Sequence, residues 1–457
     1  MTDLTQATAA ELSSLYQAGA ASPVTVAEQV LAKIARVNPI LNAFCFTDPN
    51  TTLVQARASA QRWQQGQPWS GLDGVPVAVK DSILTQGWPT RYASQAIDPD
   101  QSWTEDAPAV ARLREAGAIF VGKTTMSEFG STEYHSNSLL YGNGYNPWNG
   151  QCTSGGSSGG SAAAVGAGLV PVAIGSDIGG SISVPASFCG IIGLKPSFGK
   201  IAHYPSGIFN LATVGVFARQ ANDLALVMNL ITGPDVRDST SLPATTIDYV
   251  TTLNRTISGL RVAYCKTIVS QSADVDTLSA VDQTANWLAS QGATIDLVEL
   301  DVFELMDICY DLIRLEFYQH WMKIPLDRQH LTHPNIQKRA LIAHLKIDVC
   351  RALEKRQQLM IKMRKFMQSY DVILSPATTT TADKILVDDL PNSPSSPFSL
   401  LYSTVQQPTI TVPVGVNSNS MPVAVMIAGA MHDDVRVLQV AHAIEKQFPM
   451  PACPVIL

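Results

Sequence analysis

Short apolar runs alternate with amphipathic stretches along this chain, and that alternation predicts an α/β fold with a mainly parallel or mixed sheet. Two further observations support it. Hydrophobic residues make up 46% of the 457 and charged residues 15%, enough to bury a large core and too apolar for a disordered chain. Gly- and Ser-rich turns across residues 153–200 are interleaved with apolar runs, whereas a flexible linker would be polar throughout. The length allows two or three ordinary domains or one large body. No internal repeat and no clear boundary divides it.

Residues 8–37 read as two helices. Thr8 and Glu11 have the capping-box spacing that starts the first, and Ser22-Pro23 starts the second. Residues 51–65 form an amphipathic helix. Residues 75–79 are a continuous apolar run ending in Lys80, the signature of a buried strand. Residues 104–117 read as a helix stopped by Gly117, and 118–121 as the next strand. Then comes the densest stretch. Ser154, Gly155, Gly156, Ser157, Ser158, Gly159, Gly160 and Ser161 open it, a small-residue helix follows at 162–169, and a strand at 170–174. A second Gly/Ser turn, Asp177 to Ser181, comes next, and residues 191–196 close the stretch. Helices are expected at 221–231, 277–291 and 435–446, with strands at 260–264, 294–300, 372–374, 409–414 and 423–427. Residues 336–366 read as one long surface helix with a basic polar side. Residues 391–397, rich in Pro and Ser, read as loop.

Glycine-rich turns inside a core are costly in backbone entropy. They make sense where backbone N–H groups must approach a ligand closely, as in oxyanion holes and anion nests. A lysine ending an apolar strand is equally unusual, because burial favours the neutral amine. Lowering a lysine from about 10.4 to about 7–8 needs on the order of 4 kcal/mol of environmental bias. A snorkelling Lys80, or one paired with Asp81, is the competing reading.

The run GGSSGGSAAAVGAGLVPVAIGSDIGGSISVPASFCGIIGLKPSFG resembles the signature segment of the amidase signature family of serine hydrolases. GVPVAVKDSI upstream, then NPWN, then YDVILSPAT downstream fall in the family's order. The resemblance implies one large mixed sheet flanked by helices on both faces. It implies a single domain over residues 1–457, with a signature core at about 70–215 and a C-terminal part at about 260–457 completing the sheet and the substrate pocket. Lys80 would be the general base, Ser157 a relay reached through a cis peptide bond, and Ser181 the nucleophile. Gly156 before Ser157 makes that bond easier sterically. The backbone N–H groups of Ile178, Gly179, Gly180 and Ser181 would form the oxyanion hole, with Asp177 fixing the turn. Ser131, in the window 131–135, and Ser157 would contact substrate. Residues 301–333 and 388–407 would supply parts of the acyl pocket. Ser183 departs from the arginine usual in the family, which puts acidic-substrate subclasses in doubt. Ser154, where the family often has proline, carries no reading.

The implied function is hydrolysis of a small-molecule carboxylic amide through an acyl-enzyme, with no cofactor and no metal. Two other readings compete: the glutaminase subunit of a glutamine-dependent amidotransferase, and a non-catalytic binding protein on the same fold. A net charge of −7 argues against non-specific nucleic-acid or anionic-membrane partners. Residues 1–19 show no signal-peptide pattern, and no apolar stretch is long enough to span a bilayer. Seven cysteines without C-x-x-C spacing fit reduced thiols in a cytoplasm. Homo-oligomerisation is left open.

Two motif matches are set aside. Residues 117–124 satisfy the P-loop pattern, but their interior is apolar and reads as a strand followed by a turn, not a phosphate cradle. Residues 155–159 satisfy G-x-S-x-G, but no strand precedes them and no histidine stands in a telling context. His135 has no H-E-x-x-H partner. Cys189, between Phe188 and Gly190, reads as a small buried hydrophobe.

Overall fold

The computed structural model describes residues 3–131, 136–268, 271–385 and 396–454, leaving aside the side chains of 303–306. From the N-terminus, α1 (Ala9–Gln17) and α2 (Pro23–Leu41) lead to β1 (Phe44–Thr47), α3 (Pro49–Gln64), β2 (Pro76–Lys80), α4 (Pro108–Glu115) and β3 (Ile119–Thr124). Next come α5 (Gly159–Gly166), β4 (Val172–Asp177), α6 (Ser183–Cys189), β5 (Ile192–Lys195), β6 (Thr213–Ala218) and α7 (Ala221–Ile231). The C-terminal half adds β7 (Arg261–Tyr264), α8 (Val275–Ser290), β8 (Thr294–Leu297), α9 (Phe303–Met322), α10 (Pro334–Lys346) and α11 (Val349–Phe366). It ends with β9 (Val372–Pro376), α12 (Pro397–Thr404), β10 (Thr409–Val416), β11 (Pro422–Gly429) and α13 (Asp434–Gln447).

One eleven-stranded sheet joins both halves in the order β1-β3-β2-β4-β6-β5-β10-β11-β9-β7-β8. It is mixed. β3, β2 and β4 run parallel, as do β9, β7 and β8, while the strands between them pair antiparallel. The centre is therefore less parallel than the alternation of elements suggests. Short connections such as residues 417–421 between β10 and β11 force an antiparallel return.

Period-two alternation sends successive side chains to opposite faces, and both faces are covered. Val372 and Leu374 of β9 join one buried cluster with Val425 and Ile427 of β11. Ile373 joins the other with Ala424, Met426 and Ala428. Helices on both faces explain why these strands read as unbroken apolar runs.

Several expectations hold in detail. The Thr8–Glu11 capping box forms, and Ser22 caps α2 with Pro23 in its first turn. Gly117 follows α4 at φ +86°. Others need correction. The helix expected from 336 to 366 is two helices: Ile347 is extended, and Asp348 starts α11 by accepting the Arg351 N–H. The basic side of α11 is not wholly solvated either, because Arg356 is buried and donates to the carbonyls of Phe209, Asn210 and Thr404. The helix expected from 104 begins at Pro108. The run at 117–124 stays a strand to Thr124, with no turn at Gly122. Within the expected loop 391–397, Pro397 already belongs to α12, and residues 391–395 lie outside the described residues.

Candidate active site

β2 and β4 lie side by side and parallel, with Val77 beside Val172 and Val79 beside Ile174. Their carboxyl ends therefore meet, bringing Lys80 to Ser176. Lys80 is 1% exposed. Its Nζ lies 2.7 Å from Ser157 Oγ, 3.1 Å from Ser176 Oγ and 3.2 Å from the Ser176 carbonyl oxygen. Burial pulls the Lys80 amine down to about 7, against the weaker opposing pull of Asp177.

Ser157 comes from the first Gly/Ser turn. The Gly156–Ser157 peptide bond is cis. The turn is pressed into the protein. Gly155 has φ +75°, and a Cβ there would lie 3.0 Å from Pro185 Cα. A Cβ on Gly160 would lie 2.5 Å from the Ala43 carbonyl oxygen. Only glycine admits such contacts.

Ser181 comes from the second turn, between β4 and α6. Asp177 organises that turn. Its carboxylate accepts from Gly180 N–H (3.0 Å), Ile182 N–H (2.6 Å) and Ser403 Oγ–H (2.8 Å). The Gly180 amide is thus committed to Asp177, which removes it from the four amides expected of an oxyanion hole. Among the described residues, the amides of Ile178, Gly179 and Ser181 meet no protein acceptor.

Lys80, Ser157, Ser176, Ile178 and Ser181 open on one cavity of about 50 Å³. Ser157 and Ser181 share this cavity, yet no hydrogen bond joins their hydroxyls among the described residues. Sequence reading missed much of the lining, including Tyr92, Met126, Phe129 and His203, whereas His320 comes from the stretch 301–333 expected to supply part of the pocket. Ser176 could have been found, since it stands two residues from Ile174 on a strand beside Lys80. The two histidines had no such signal, because isolated histidines carry no spacing.

Ser131 is not on the cavity wall. Gly130 is, at φ +71°, with its Cβ position 3.3 Å from Ser157 Oγ. The turn at Phe129 and Gly130 carries the chain past Ser157, and the Ser131 carbonyl accepts from Arg339 instead. Residues 132–135 and 388–395 of the expected pocket lie outside the described residues. Ser183, where arginine was expected, is buried and accepts a 3.1 Å hydrogen bond from Ser399. A larger cavity of about 650 Å³, by Trp148, Arg219 and Cys453, holds none of these groups.

A family model described as Amidase matches residues 25–438. This chain belongs to the amidase family. It is an enzyme that hydrolyses amide C–N bonds. Among relatives of the amidase family, a glutamyl-tRNA(Gln) amidotransferase subunit of Neisseria meningitidis serogroup C is 33% identical, covering 97% of this chain and 98% of its own. The same-named subunit of Thermotoga maritima, known from a crystal structure, superposes with a TM-score of 0.82 at 27% identity over 95% of both chains. A bacterial aryl acylamidase superposes at 0.89, with 24% identity over 97% of this chain and 96% of that one, and shares the fold. Among the described residues of this amidase, no helix is long and apolar enough to cross a membrane.

Proposed function

We propose that the chain cleaves a small-molecule carboxylic amide with Ser181 as nucleophile, Ser157 as relay and Lys80 as base. Neutral Lys80 takes the Ser157 proton as Ser157 takes that of Ser181. The Ser181 oxygen bonds to the amide carbon, and charge collects on the carbonyl oxygen. The amides of Ile178, Gly179 and Ser181, which meet no protein acceptor among the described residues, receive that charge in this reading. The proton returns through Ser157 to the leaving nitrogen, the C–N bond breaks, and an acyl ester remains on Ser181. Water, deprotonated along the same path, releases the acid. Asp177 is a positioning residue for the turn.

The observation that carries this reading is the 2.7 Å contact between Lys80 Nζ and Ser157 Oγ, inside a cavity that Ser181 shares. Ser181→Ala is expected to abolish labelling by a fluorophosphonate while leaving the fold intact. Persistent labelling of that variant counts against Ser181.

A second reading rests on the relatives. The likeness to a glutamyl-tRNA(Gln) amidotransferase subunit, 33% identical over 97% of the chain, supports a role as a glutaminase that works with partner proteins. Amide hydrolysis by the isolated chain favours the first reading, and glutaminase activity only with partners favours the second. The continuous sheet supports residues 1–457 acting as one unit, and seven free cysteines support a reducing cytoplasm.

A further inference from the structure

Beside the catalytic cavity sits a buried carboxylate without a use in the chemistry above. Glu316, on α9, has a side chain with no solvent exposure, and neither of its oxygens has a partner in hydrogen-bond geometry among the described residues. Such a group is costly unless something completes it. Burial pushes Glu316 up to about 7, with Lys323, the approaching Phe209 N–H and Arg356 pulling the other way. Arg356 is no direct partner, since its guanidinium is given to three backbone carbonyls.

Two neighbours separate Glu316 from the cavity, and both belong to the cavity wall. One is Gly207. A Cβ on it would fall 1.6 Å from Glu316 Oε1, so the carboxylate lies directly against a bare backbone. The loop is fastened there by Ile208 N–H donating to Gln319 Oε1 at 2.7 Å. The other is His320, one helical turn on, with Nε2 3.7 Å from Glu316 Oε1. A carboxylate facing Nε2 favours the Nε2–H tautomer and leaves Nδ1 as an acceptor. His203 and His320 are both pulled down to about 4 by burial, so they are neutral at pH 7. Tyr92 lies 6.1 Å from the His320 ring and stacks on Phe129. This part of the wall offers acceptor lone pairs, π faces and a nearby carboxylate. Among the described lining residues, Lys80 is the sole Lys or Arg, and Ser157 and Ser176 already engage it.

We propose that Glu316 and His320 form a specificity-determining wall of the cavity, selecting amides that carry an ammonium or comparable N–H donor over those that carry a carboxylate. The inference rests on the reading of this cavity as the amide site. A donor entering beside His320 completes the acceptor set that the fold leaves open, whereas a carboxylate meets Glu316 and no unengaged cation.

The test compares an ω-amino alkanamide, its ω-methyl isostere and its ω-carboxy counterpart. The wild type is expected to favour the amino amide in kcat/KM. Glu316→Gln is expected to lower that value about tenfold or more through KM, as the ammonium loses the nearby carboxylate and His320 the group that orients it, and to leave the methyl isostere unchanged. Equal losses on all three amides, or a wild-type preference for the carboxylate, overturns the proposal. An unchanged fluorophosphonate labelling rate shows that Glu316→Gln keeps its site, and His320→Gln carries the comparison if Glu316→Gln does not fold. Binding is read separately in Ser181→Ala, where the amino amide should raise Tm more than its isosteres. That readout stands even if no amide is turned over, so failure of the catalytic reading and failure of this one give different results.

Discussion

Lys80 and Asp81 are adjacent in the chain but face different partners. Lys80 Nζ reaches Ser157 Oγ at 2.7 Å, whereas Asp81 accepts the backbone N–H groups of Arg91 at 3.0 Å and Ala93 at 2.7 Å. The strand ends at Lys80, and Asp81 in the turn after it is taken up by those two amides, so the ion pair that competes with a catalytic Lys80 does not form. The lysine is left with hydroxyl and carbonyl neighbours and no close counter-ion, which is what lets burial neutralise it.

That neutrality sets a pH dependence. The base must be unprotonated, and burial holds Lys80 near 7. The kcat/KM should therefore rise with pH through about 7 and fall about tenfold per unit below it. A profile flat from pH 5 to pH 9, with the fold intact, would remove Lys80 as the base.

Lys80→Met should separate activity from stability. Losing a general base costs roughly 10²–10⁴ in rate. Replacing a desolvated amine with an apolar chain of similar length should raise stability by on the order of 1 kcal/mol. Urea unfolding beside an activity assay checks both, and a destabilised variant contradicts the second half.

Asp177→Ala strips the Gly180 and Ile182 amides and the Ser403 hydroxyl of their shared acceptor. Hydrogen bonds to a charged group contribute about 1.5–3 kcal/mol each, so the variant should lose several kcal/mol. A Tm close to wild type would show that the turn holds itself.

Gly160→Ala would place a methyl group against the Ala43 carbonyl and the Thr125 backbone. Backbone cannot swing aside as a side chain can, and overpacking of this kind costs about 1–3 kcal/mol. The same change at Gly87, whose Cβ position is open, meets no contact and should cost only the strain of its φ of +82°. Denaturant midpoints for the pair measure the difference.

Arg356→Lys should not rescue Arg356→Ala. Three carbonyls from two separate segments receive the planar guanidinium, and an ammonium cannot span them in that geometry. Comparable Tm losses are expected for the two variants.

The chain order of strands and helices, the buried strand ending in Lys80 and the two Gly/Ser turns were readable because their causes are local. Period-two and period-3.6 burial, capping residues and glycine punctuation all act within a few residues. That the turns at 153–161 and 177–181 are set within the core was legible for the same reason, since their glycines sit between runs that could only be core, and residues of both line one cavity.

Only the tertiary structure decided the rest. The sheet's central antiparallel pairing, the capture of the Gly180 amide by Asp177, the retreat of Ser131 behind Gly130, and the meeting of Glu316, His320 and Gly207 all join residues that are far apart in the chain or depend on how its turns are set. Sequence patterns record which side of an element is buried. They carry no record of what is buried against it, because that is set by the packing of segments a hundred residues apart.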